Sequence, residues 1–115
     1  MEGRQDVVFR ADELPDVGTG DIQYRLVASA RHDRKMSILS ETYEPDADTG
    51  EDMLTHSGEE GGVVVEGELE VTVAGKTWVL GPGDAYYFDS RLPHRFRNIG
   101  KVPTRIVSAN TPPTI

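Results

Sequence analysis

The residues best suited to chemistry in this sequence are two histidines and one glutamate in two separate segments. His56 and Glu60 stand in "THSGEEGG" with three residues between them, and His94 lies in "RLPHRFRN". Two imidazoles and one carboxylate form a facial ligand set that suits Fe(II) and leaves coordination positions open, and Zn, Mn or Ni can use the same donors. Alternatively, His56 and Glu60 form a solvated turn and His94 is a buried, hydrogen-bonded histidine. Residue types alone leave both interpretations open.

Composition excludes several other functional classes. The chain has no cysteine, which excludes disulfides, thiolate metal sites and a cysteine nucleophile. Asp and Glu number 20 against 12 Lys and Arg, and the net charge of −8 argues against nucleic-acid binding by this chain alone and against anionic membrane surfaces. No Ser/His/Asp triad, P-loop or Rossmann glycine pattern is present. No run reaches the roughly 20 apolar residues of a membrane span, and the charged N-terminus is not a signal peptide. We therefore expect a cytoplasmic protein.

Alternating patterns predict strands almost throughout the 115 residues, which suffice for one domain. "ELEVTV" places Leu69, Val71 and Val73 on one face, and the Ala74-Gly75 pair predicts a hairpin into "KTWVL". The other strand-like runs are "IQYRLVA", "KMSILSETY" (with Met36, Ile38 and Ser40 on one face), "AYYF", "HRFRN" and "TRIVSA". No helical stripe and no 20- to 50-residue repeat appears. The sequence therefore predicts an all-β sandwich or barrel.

Strand alternation also predicts which side chains face a shared pocket. His94, Phe96 and Asn98 should project together while Arg95 and Arg97 point away. In a barrel, that inward face would meet the strand that carries the first histidine.

Other side chains are weaker candidates. Either Tyr86 or Tyr87 must face inward, where its hydroxyl could contact a ligand. Trp78 and Phe88 are expected in the core, and His32 is expected in a solvated loop. The acidic segment 44–52 is expected to be a loop whose spacing matches no EF-hand. Three further residues could reach an anionic ligand but cannot be placed from sequence: Arg25, Tyr43 and Arg91.

Together, "HSGEEGGVVVEGELEV" and "GPGDAYYFDSRLPHRFRN" resemble the two motifs of the cupin superfamily. Members of this superfamily are small jelly-roll barrels. The first family motif has a His-x-His pair, three or four residues, a Glu, six residues and a Gly. Counting back from Gly67 aligns Glu60 with the family glutamate and His56 with the second histidine. Leu54 then stands where the family has its first histidine. The resemblance implies a metal set of His56, Glu60 and His94, with one donor fewer than is usual.

The second motif matches less completely. Gly83, His94 and Asn98 fall on its glycine, histidine and asparagine. Asp89 and Arg91 replace a Pro and a Gly that shape a turn in the family. This mismatch therefore affects a turn rather than the ligand set.

One cupin subgroup is similar over a longer stretch, from about Tyr24 to Ile115. The C-terminal sensor domains of XRE-type helix-turn-helix regulators, of the putrescine-utilisation repressor type, share His-x-Gly-Glu-Glu with an apolar residue two positions before the histidine. Their ending is similar to "NTPPTI". This resemblance implies a small-molecule effector, with an amine or polyamine as the candidate. The printed sequence contains no helix-turn-helix pattern, so it is either a sensor domain cut from a longer regulator or a stand-alone cupin.

These observations give one set of predictions. Residues 1–22 form an N-terminal extension or edge strand, and residues 23–115 form a single cupin barrel. The function is small-molecule binding with a sensor-like role; the alternative is a small metalloenzyme of the dioxygenase, isomerase or lyase type, for which no separate general base is evident. A homodimer is expected through edge strands or swapped N-termini. The predicted pocket residues are His56, Glu60, His94, Tyr86, Phe96 and Asn98.

Overall fold

The computed structural model describes residues 7–115 and contains eight antiparallel strands. A 3-10 helix, Ala11–Glu13, precedes the first strand. No other helix occurs among the described residues, so the all-β prediction is confirmed. The strands are β1 (Ile22–Leu26), β2 (Ser37–Tyr43), β3 (Glu59–Glu66), β4 (Leu69–Val73), β5 (Lys76–Leu80), β6 (Ala85–Asp89), β7 (His94–Arg97) and β8 (Thr104–Thr111).

The strands form two sheets. One has five strands in the order β1-β2-β8-β3-β6, and the other has three in the order β5-β4-β7. Consecutive strands therefore often lie in different sheets, as in a jelly roll. Every pairing between named strands is antiparallel.

The core lies between the two sheets. Leu69, Val71 and Val73 are buried on one face of β4, as their alternation predicts. The predicted hairpin between β4 and β5 is confirmed, with Ala74 at φ 51° and Gly75 at φ 84°. Two successive residues with positive φ are typical of a type I′ turn, whose twist matches that of a hairpin.

Three expectations for single side chains can be compared with the structure. Phe88 is buried and His32 is exposed in a turn, so both predictions are confirmed. Trp78 is 50% exposed, so its assignment to the core is wrong. The reason is its place on β5, an edge strand with a neighbour on one side only.

The segment that precedes β1 lies along that strand. The backbone N–H of Val17 donates to the carbonyl of Tyr24, and the N–H of Leu26 donates to the carbonyl of Pro15. The guanidinium of Arg25 donates to the carbonyl of Ala11 and so faces this segment rather than the barrel interior. The boundary between an N-terminal part and the barrel at residue 22 stays a prediction, and its residues 1–6 lie outside the described residues.

The acidic segment 44–52 is a loop, as expected, and it lies along the edge of β7, where Asp48 forms an isolated backbone bridge with Arg97. Asp48 pairs with Arg95 on β7, and this hydrogen-bonded guanidinium lowers the pKa of Asp48. Within the described part of the chain, no helix is long and apolar enough to cross a membrane.

Candidate functional site

Two histidines and a glutamate from separate segments meet at one point between the sheets. The Nε2 atom of His56 lies 3.0 Å from Oε1 of Glu60. The Nε2 atom of His94 lies 3.1 Å from the same oxygen. One ligand atom from each of the three residues lies within 4.8 Å of the others. The structure therefore brings together the three residues that the sequence analysis proposed as metal ligands.

Each member of this cluster is held by backbone pairing. Glu60 lies on β3 between β6 and β8. His94 begins β7 and pairs with Leu54 through two backbone hydrogen bonds of 2.8 and 3.0 Å. His56 is not on a strand, contrary to expectation; it lies in the loop before β3, where its N–H donates to the carbonyl of Ser90.

A glycine makes the approach of this loop to β8 feasible. Gly58 has φ +105°, a backbone conformation that L side chains rarely adopt. A Cβ atom at this position would lie 2.0 Å from the carbonyl oxygen of Thr111. Only glycine therefore fits where the loop that carries His56 meets the end of β8.

Hydrogen bonds fix how His94 and Glu60 are presented. Nδ1 of His94 lies 2.7 Å from the carbonyl oxygen of Leu92. A carbonyl only accepts, so Nδ1 carries a proton and points away from the cluster, which leaves Nε2 as the nitrogen that faces Glu60. The hydroxyl of Ser90 donates to Oε1 of Glu60 at 2.9 Å, which orients the carboxylate. Nε2 of His94 and Nδ1 of His56 are buried without a hydrogen-bond partner.

These features fit a divalent metal ion. An unpartnered imidazole lone pair beside a carboxylate oxygen is unfavourable unless a proton or a cation lies between them. Metal–nitrogen bonds of about 2.0–2.1 Å place adjacent ligand atoms about 3 Å apart, similar to the separations within this cluster. The Leu92 carbonyl and the Ser90 hydroxyl supply the outer hydrogen bonds that ligating His and Glu residues usually have. We conclude that the donor set is suitable for Fe, Mn, Zn or Ni.

A cavity of about 160 Å³ opens from this cluster. Leu54, in the place of the missing family histidine, contributes to its wall. The lining contains two carboxylates and three tyrosines, and none of its residues is Lys or Arg. The lining residues are Tyr24, Leu39, Glu41, Tyr43, Leu54, His56, Glu60, Tyr86, His94, Phe96, Ser108, Ala109, Asn110 and Ile115.

Glu41 is a second carboxyl group in this cavity. It lies on the inward face of β2, is 6% exposed and accepts a hydrogen bond from the Ser108 hydroxyl. Burial raises the pKa of Glu41 to about 7, against the lowering effect of hydrogen bonds from Ser108 and Tyr43, and the nearby charge of Glu60 raises it further. Glu41 therefore exchanges its proton near neutral pH.

The tyrosines beside Glu41 are neutral hydrogen-bonding groups. Burial raises the pKa of Tyr43 and of Tyr86 well above the ordinary value, and the charge of Glu41 acts in the same direction. Tyr86 faces the cavity while Tyr87 is 70% exposed, which settles the alternation between the two. These hydroxyls can donate or accept a hydrogen bond from a ligand, but they are not bases at neutral pH.

Among the predicted pocket residues, Phe96 lines the cavity, whereas Asn98 does not. The Asn98 amide donates to the carbonyls of Tyr43 and Val102, and its oxygen accepts from the N–H of Gly100. These hydrogen bonds join the end of β2 to the turn after β7. Asn98 therefore organises the backbone, and this placement corrects the expectation that it contacts ligand.

Of the three candidates for an anionic ligand, only Tyr43 lies in the cavity lining. Arg91 is exposed and paired with Asp89, whose pKa its hydrogen bonds lower to about 2. Arg25 faces the N-terminal segment.

Sequence reasoning missed five polar residues of the site: Tyr24, Glu41, Ser90, Ser108 and Asn110. A signal existed for Glu41 in "SILSETY", where Ser37, Leu39, Glu41 and Tyr43 share one face of β2. No pattern marks Ser90, which follows β6 and reaches Glu60 only through the fold.

The chain belongs to the cupin family: residues 39–110 match Cupin_2, the cupin domain. It is 37% identical over 108 residues to the HTH-type transcriptional regulator PuuR of Escherichia coli (strain K12), an alignment that covers 94% of this chain and 58% of the regulator. The chain thus spans little more than half the length of this relative. The resemblance to cupin domains of XRE-type regulators is confirmed.

Solved structures agree with this assignment. The Cupin_2 domain of an XRE family transcriptional regulator from Enterobacter cloacae superposes with a TM-score of 0.70 at 23% identity, covering 80% of this chain and 97% of that domain. Ectoine synthase from P. lautus superposes with a TM-score of 0.78 at 22% identity, covering 94% of this chain and 79% of the synthase. These likenesses confirm the single cupin barrel; they extend to a regulator domain and to an enzyme alike.

Proposed function

We propose that this chain is a small-molecule-binding cupin domain with a sensor-like regulatory role, whose cavity holds a divalent transition metal. The observation that carries the proposal is the convergence of His56, Glu60 and His94 on one point beside a cavity. The identity to PuuR over nearly the whole chain supports the regulatory role.

The lining of the cavity favours a small cationic ligand such as an amine. Glu41, which is not among the proposed metal ligands, supplies a carboxyl group that can pair with an amine, and no lining residue is Lys or Arg. The hydroxyls of Tyr43 and Tyr86 add neutral hydrogen-bonding groups to the same wall. The volume of about 160 Å³ is well below the roughly 300 Å³ at the lower end of drug-sized pockets, so the ligand is small.

The residues around the cluster each have a definite task in this proposal. His56, Glu60 and His94 would hold the metal, which when bound supplies a Lewis-acid position for a ligand oxygen or nitrogen. Ser90 orients the Glu60 carboxylate, and the Leu92 carbonyl keeps the proton of His94 on Nδ1. Regulation further requires that the ligand bind one conformation of the protein better than another.

Metal analysis tests the first half of the proposal. Protein purified without chelator is analysed for metal content and then titrated with Mn, Fe(II), Ni and Zn by calorimetry. We expect about one site per chain, with affinity lowered at least about tenfold in Glu60→Gln and in His56→Ala. Glu59→Gln and His32→Ala are matched controls. Glu59 is the exposed neighbour of Glu60, and His32 is an exposed histidine outside the cluster. Failure of every metal to bind would contradict the metal site.

Ligand screening tests the second half. We expect amines of up to about eight non-hydrogen atoms to raise the melting temperature by mass action, and Glu41→Gln to abolish this shift while Glu66→Gln leaves it unchanged. Larger shifts with carboxylates than with amines would contradict the assignment of a cationic ligand.

Glu41 favours one alternative, a small metalloenzyme. A buried carboxyl with a pKa of about 7 in the same cavity as the candidate metal ligands is a suitable general acid or base, which the sequence did not reveal. Incubation of metal-loaded protein with each binding compound, followed by NMR, separates the two functions. A sensor returns the compound unchanged, whereas catalytic conversion that is lost in Glu41→Gln would establish the enzyme.

A further inference from the structure

Residues 112–115, which follow β8, fold back over the cavity. Strand register places Ser37 of β2, Asn110 of β8 and Glu60 of β3 side by side in one row on the inward face of the five-stranded sheet. The carbonyl oxygen of Ile115 lies 3.3 Å from the hydroxyl of Ser37, so the chain has returned to the inward side of this row. We call residues 112–115 the strap.

The tip of the strap stands at the mouth of the cavity. Ile115 belongs to the cavity lining, yet it is 43% exposed. Ser37, which contacts its carbonyl, is fully buried. A residue that contacts both the cavity and the solvent lies where one opens into the other. The strap therefore separates the cavity from solvent at this end.

The guanidinium of Arg34, in the loop before β2, holds the strap in place. Its Nη2 donates to the carbonyl of Ile115 at 3.0 Å, and its Nη1 donates to the hydroxyl of Ser37 at 3.1 Å. The Ser37 hydroxyl in turn donates to the same Ile115 carbonyl. Two hydrogen bonds thus converge on one carbonyl oxygen, and one of them comes from a charged donor, which makes it the stronger. Arg34 therefore joins the strap to the start of β2.

The base of the strap contacts the loop that carries His56. The hydroxyl of Thr111 donates to the carbonyl of Lys35 at 2.8 Å. Gly58, in the loop with His56, packs so closely that a Cβ atom there would lie 2.7 Å from Cδ of Pro112. The strap is therefore in contact with the loop of the metal cluster at its base and with the cavity at its tip.

A polar atom without a partner lies beside the strap. Oδ1 of Asn110 is buried without a hydrogen-bond partner, and Asn110 lines the cavity together with Ile115. A buried acceptor of this kind is unfavourable until it receives a hydrogen bond. An amine in the cavity can donate one N–H to this oxygen while its charge faces Glu41. Such a ligand would lie against the inner side of the strap.

We propose that the strap is a lid over the ligand cavity and that Arg34 is its latch. A ligand that contacts Asn110 and Ile115 from inside the cavity favours the closed strap over the open one. This difference in affinity between two conformations is what a regulatory ligand requires. The part played by the ligand rests on the proposed function, whereas closure of the strap requires neither metal nor ligand.

Alkylation of a thiol inside the cavity measures opening of the strap. The chain has no cysteine, so Ser108→Cys places a single thiol in the cavity wall. In metal-free protein, adding Arg34→Ala should raise its rate of alkylation by iodoacetamide at least about tenfold, because the charged hydrogen bond to the strap is lost. Arg31→Ala is the matched control, since the Arg31 guanidinium lies in the same loop and pairs with Asp33. It should leave the rate within about twofold.

A thiol in the core distinguishes opening of the strap from unfolding of the domain. Val64→Cys stands at a fully buried position of β3, and its slow alkylation should be the same with and without Arg34→Ala. Arg34→Lys keeps a charged donor for the Ile115 carbonyl and should give an intermediate rate at Ser108→Cys. An unchanged rate at Ser108→Cys in Arg34→Ala, or an equal rise at both thiols, would overturn the proposal.

Ligand dissociation provides a second measurement. For an amine that raises the melting temperature, Arg34→Ala should speed dissociation at least about tenfold, and Arg31→Ala should leave it unchanged. Equal dissociation rates in the two variants would contradict the coupling between ligand and strap. If no amine binds, the proposed function fails, while the alkylation rates still decide whether the strap is a lid.

Discussion

The two sheets of this barrel differ in how closely they follow the usual alternation of apolar side chains towards the core and polar side chains towards solvent. In the three-stranded sheet, β4 buries Leu69 and Val71 and exposes Glu70 to solvent on its other side. Apolar residues therefore face the core and polar residues face water. This sheet follows the ordinary rule, and its main role is to supply one side of the apolar core. It also contributes His94 at the start of β7.

The five-stranded sheet departs from this arrangement in part. Its inward face carries the polar residues Glu41, Glu60 and Ser108 beside buried apolar side chains, and its outward face carries the exposed valines Val63 and Val107. Buried polar groups cost stability, and exposed apolar surface costs solubility, unless each has a partner. Departures from strand alternation are therefore the positions in this domain where we expect a bound ligand or partner.

The largest expected effect comes from the sheet that follows the rule. Leu69→Ala removes a fully buried side chain from β4 and should lower the free energy of unfolding by about 2–5 kcal/mol. Urea denaturation measures this change. Lys76→Ala on the exposed start of β5 is the control and should change it by less than about 0.5 kcal/mol. A similar loss in both variants would mean that the three-stranded sheet is not the stabilising layer.

The inward carboxyl of the other sheet should act in the opposite direction. The folded protein keeps the Glu41 proton up to a pH of about 7, whereas the unfolded chain releases it near the ordinary value of 4.5. The folded state therefore binds more protons between these values, and the free energy of unfolding falls as the pH rises through this window. The whole shift corresponds to about 3 kcal/mol.

Glu41→Gln should remove this fall and leave the metal-free protein more stable than wild type at pH 8. Urea denaturation at several pH values, with a chelator present, measures it, and Glu66→Gln is the exposed control. Parallel pH profiles of the wild type and Glu41→Gln would show that the polar inward face carries no stability cost.

Adding a donor to the cavity should strengthen metal binding. Leu54→His places an imidazole beside His94, with which Leu54 is backbone-paired, and should raise metal affinity roughly tenfold, or about 1.4 kcal/mol. Met53→His is the control, since it adds a histidine one position away on an exposed residue. Calorimetry gives both affinities, and equal values would place the metal away from Leu54.

The smallest effect is expected on the charged outward face. Arg97→Ala breaks a partly exposed ion pair with Glu70 and should cost less than about 1 kcal/mol. Urea denaturation measures the change. A loss comparable to that of Leu69→Ala would contradict this ranking.

The grouping of His56, Glu60 and His94 could be predicted from the sequence because their spacing resembles the two cupin motifs, whereas their role as metal ligands stays a prediction. The spacing of three residues between His56 and Glu60 is a local pattern, and so is the alternation around His94. Neither pattern depends on the loops that connect the two segments. The all-β class and the hairpin at Ala74-Gly75 follow from equally local patterns. These predictions needed no knowledge of which strands become neighbours.

The rest depended on tertiary neighbours. On β2, alternation defines two faces, one with Ile38 and the other with Glu41. From side-chain polarity alone, the face with Ile38 would be taken as the inward one, which is wrong. Hydrophobicity would bury Ile38, and the structure buries Glu41. Trp78 was misplaced for a similar reason, since no local pattern reveals that β5 is an edge strand.

Asn98 shows a third limit. Its alternation with His94 and Phe96 correctly predicted burial, but the carbonyls of Tyr43 and Val102 that it binds come from different parts of the chain. A buried amide that holds a turn and one that holds a ligand have the same sequence pattern.

The missing side chain of Gly62 offers a way to make the cavity unresponsive. Gly62 faces the cavity from β3, and a Cβ atom there would lie 2.6 Å from the hydroxyl oxygen of Tyr86. One methyl group would therefore displace the tyrosine ring without altering any metal donor. Gly62→Ala is thus the natural starting point for a ligand-blind variant that separates occupancy of the cavity from metal binding in a cell.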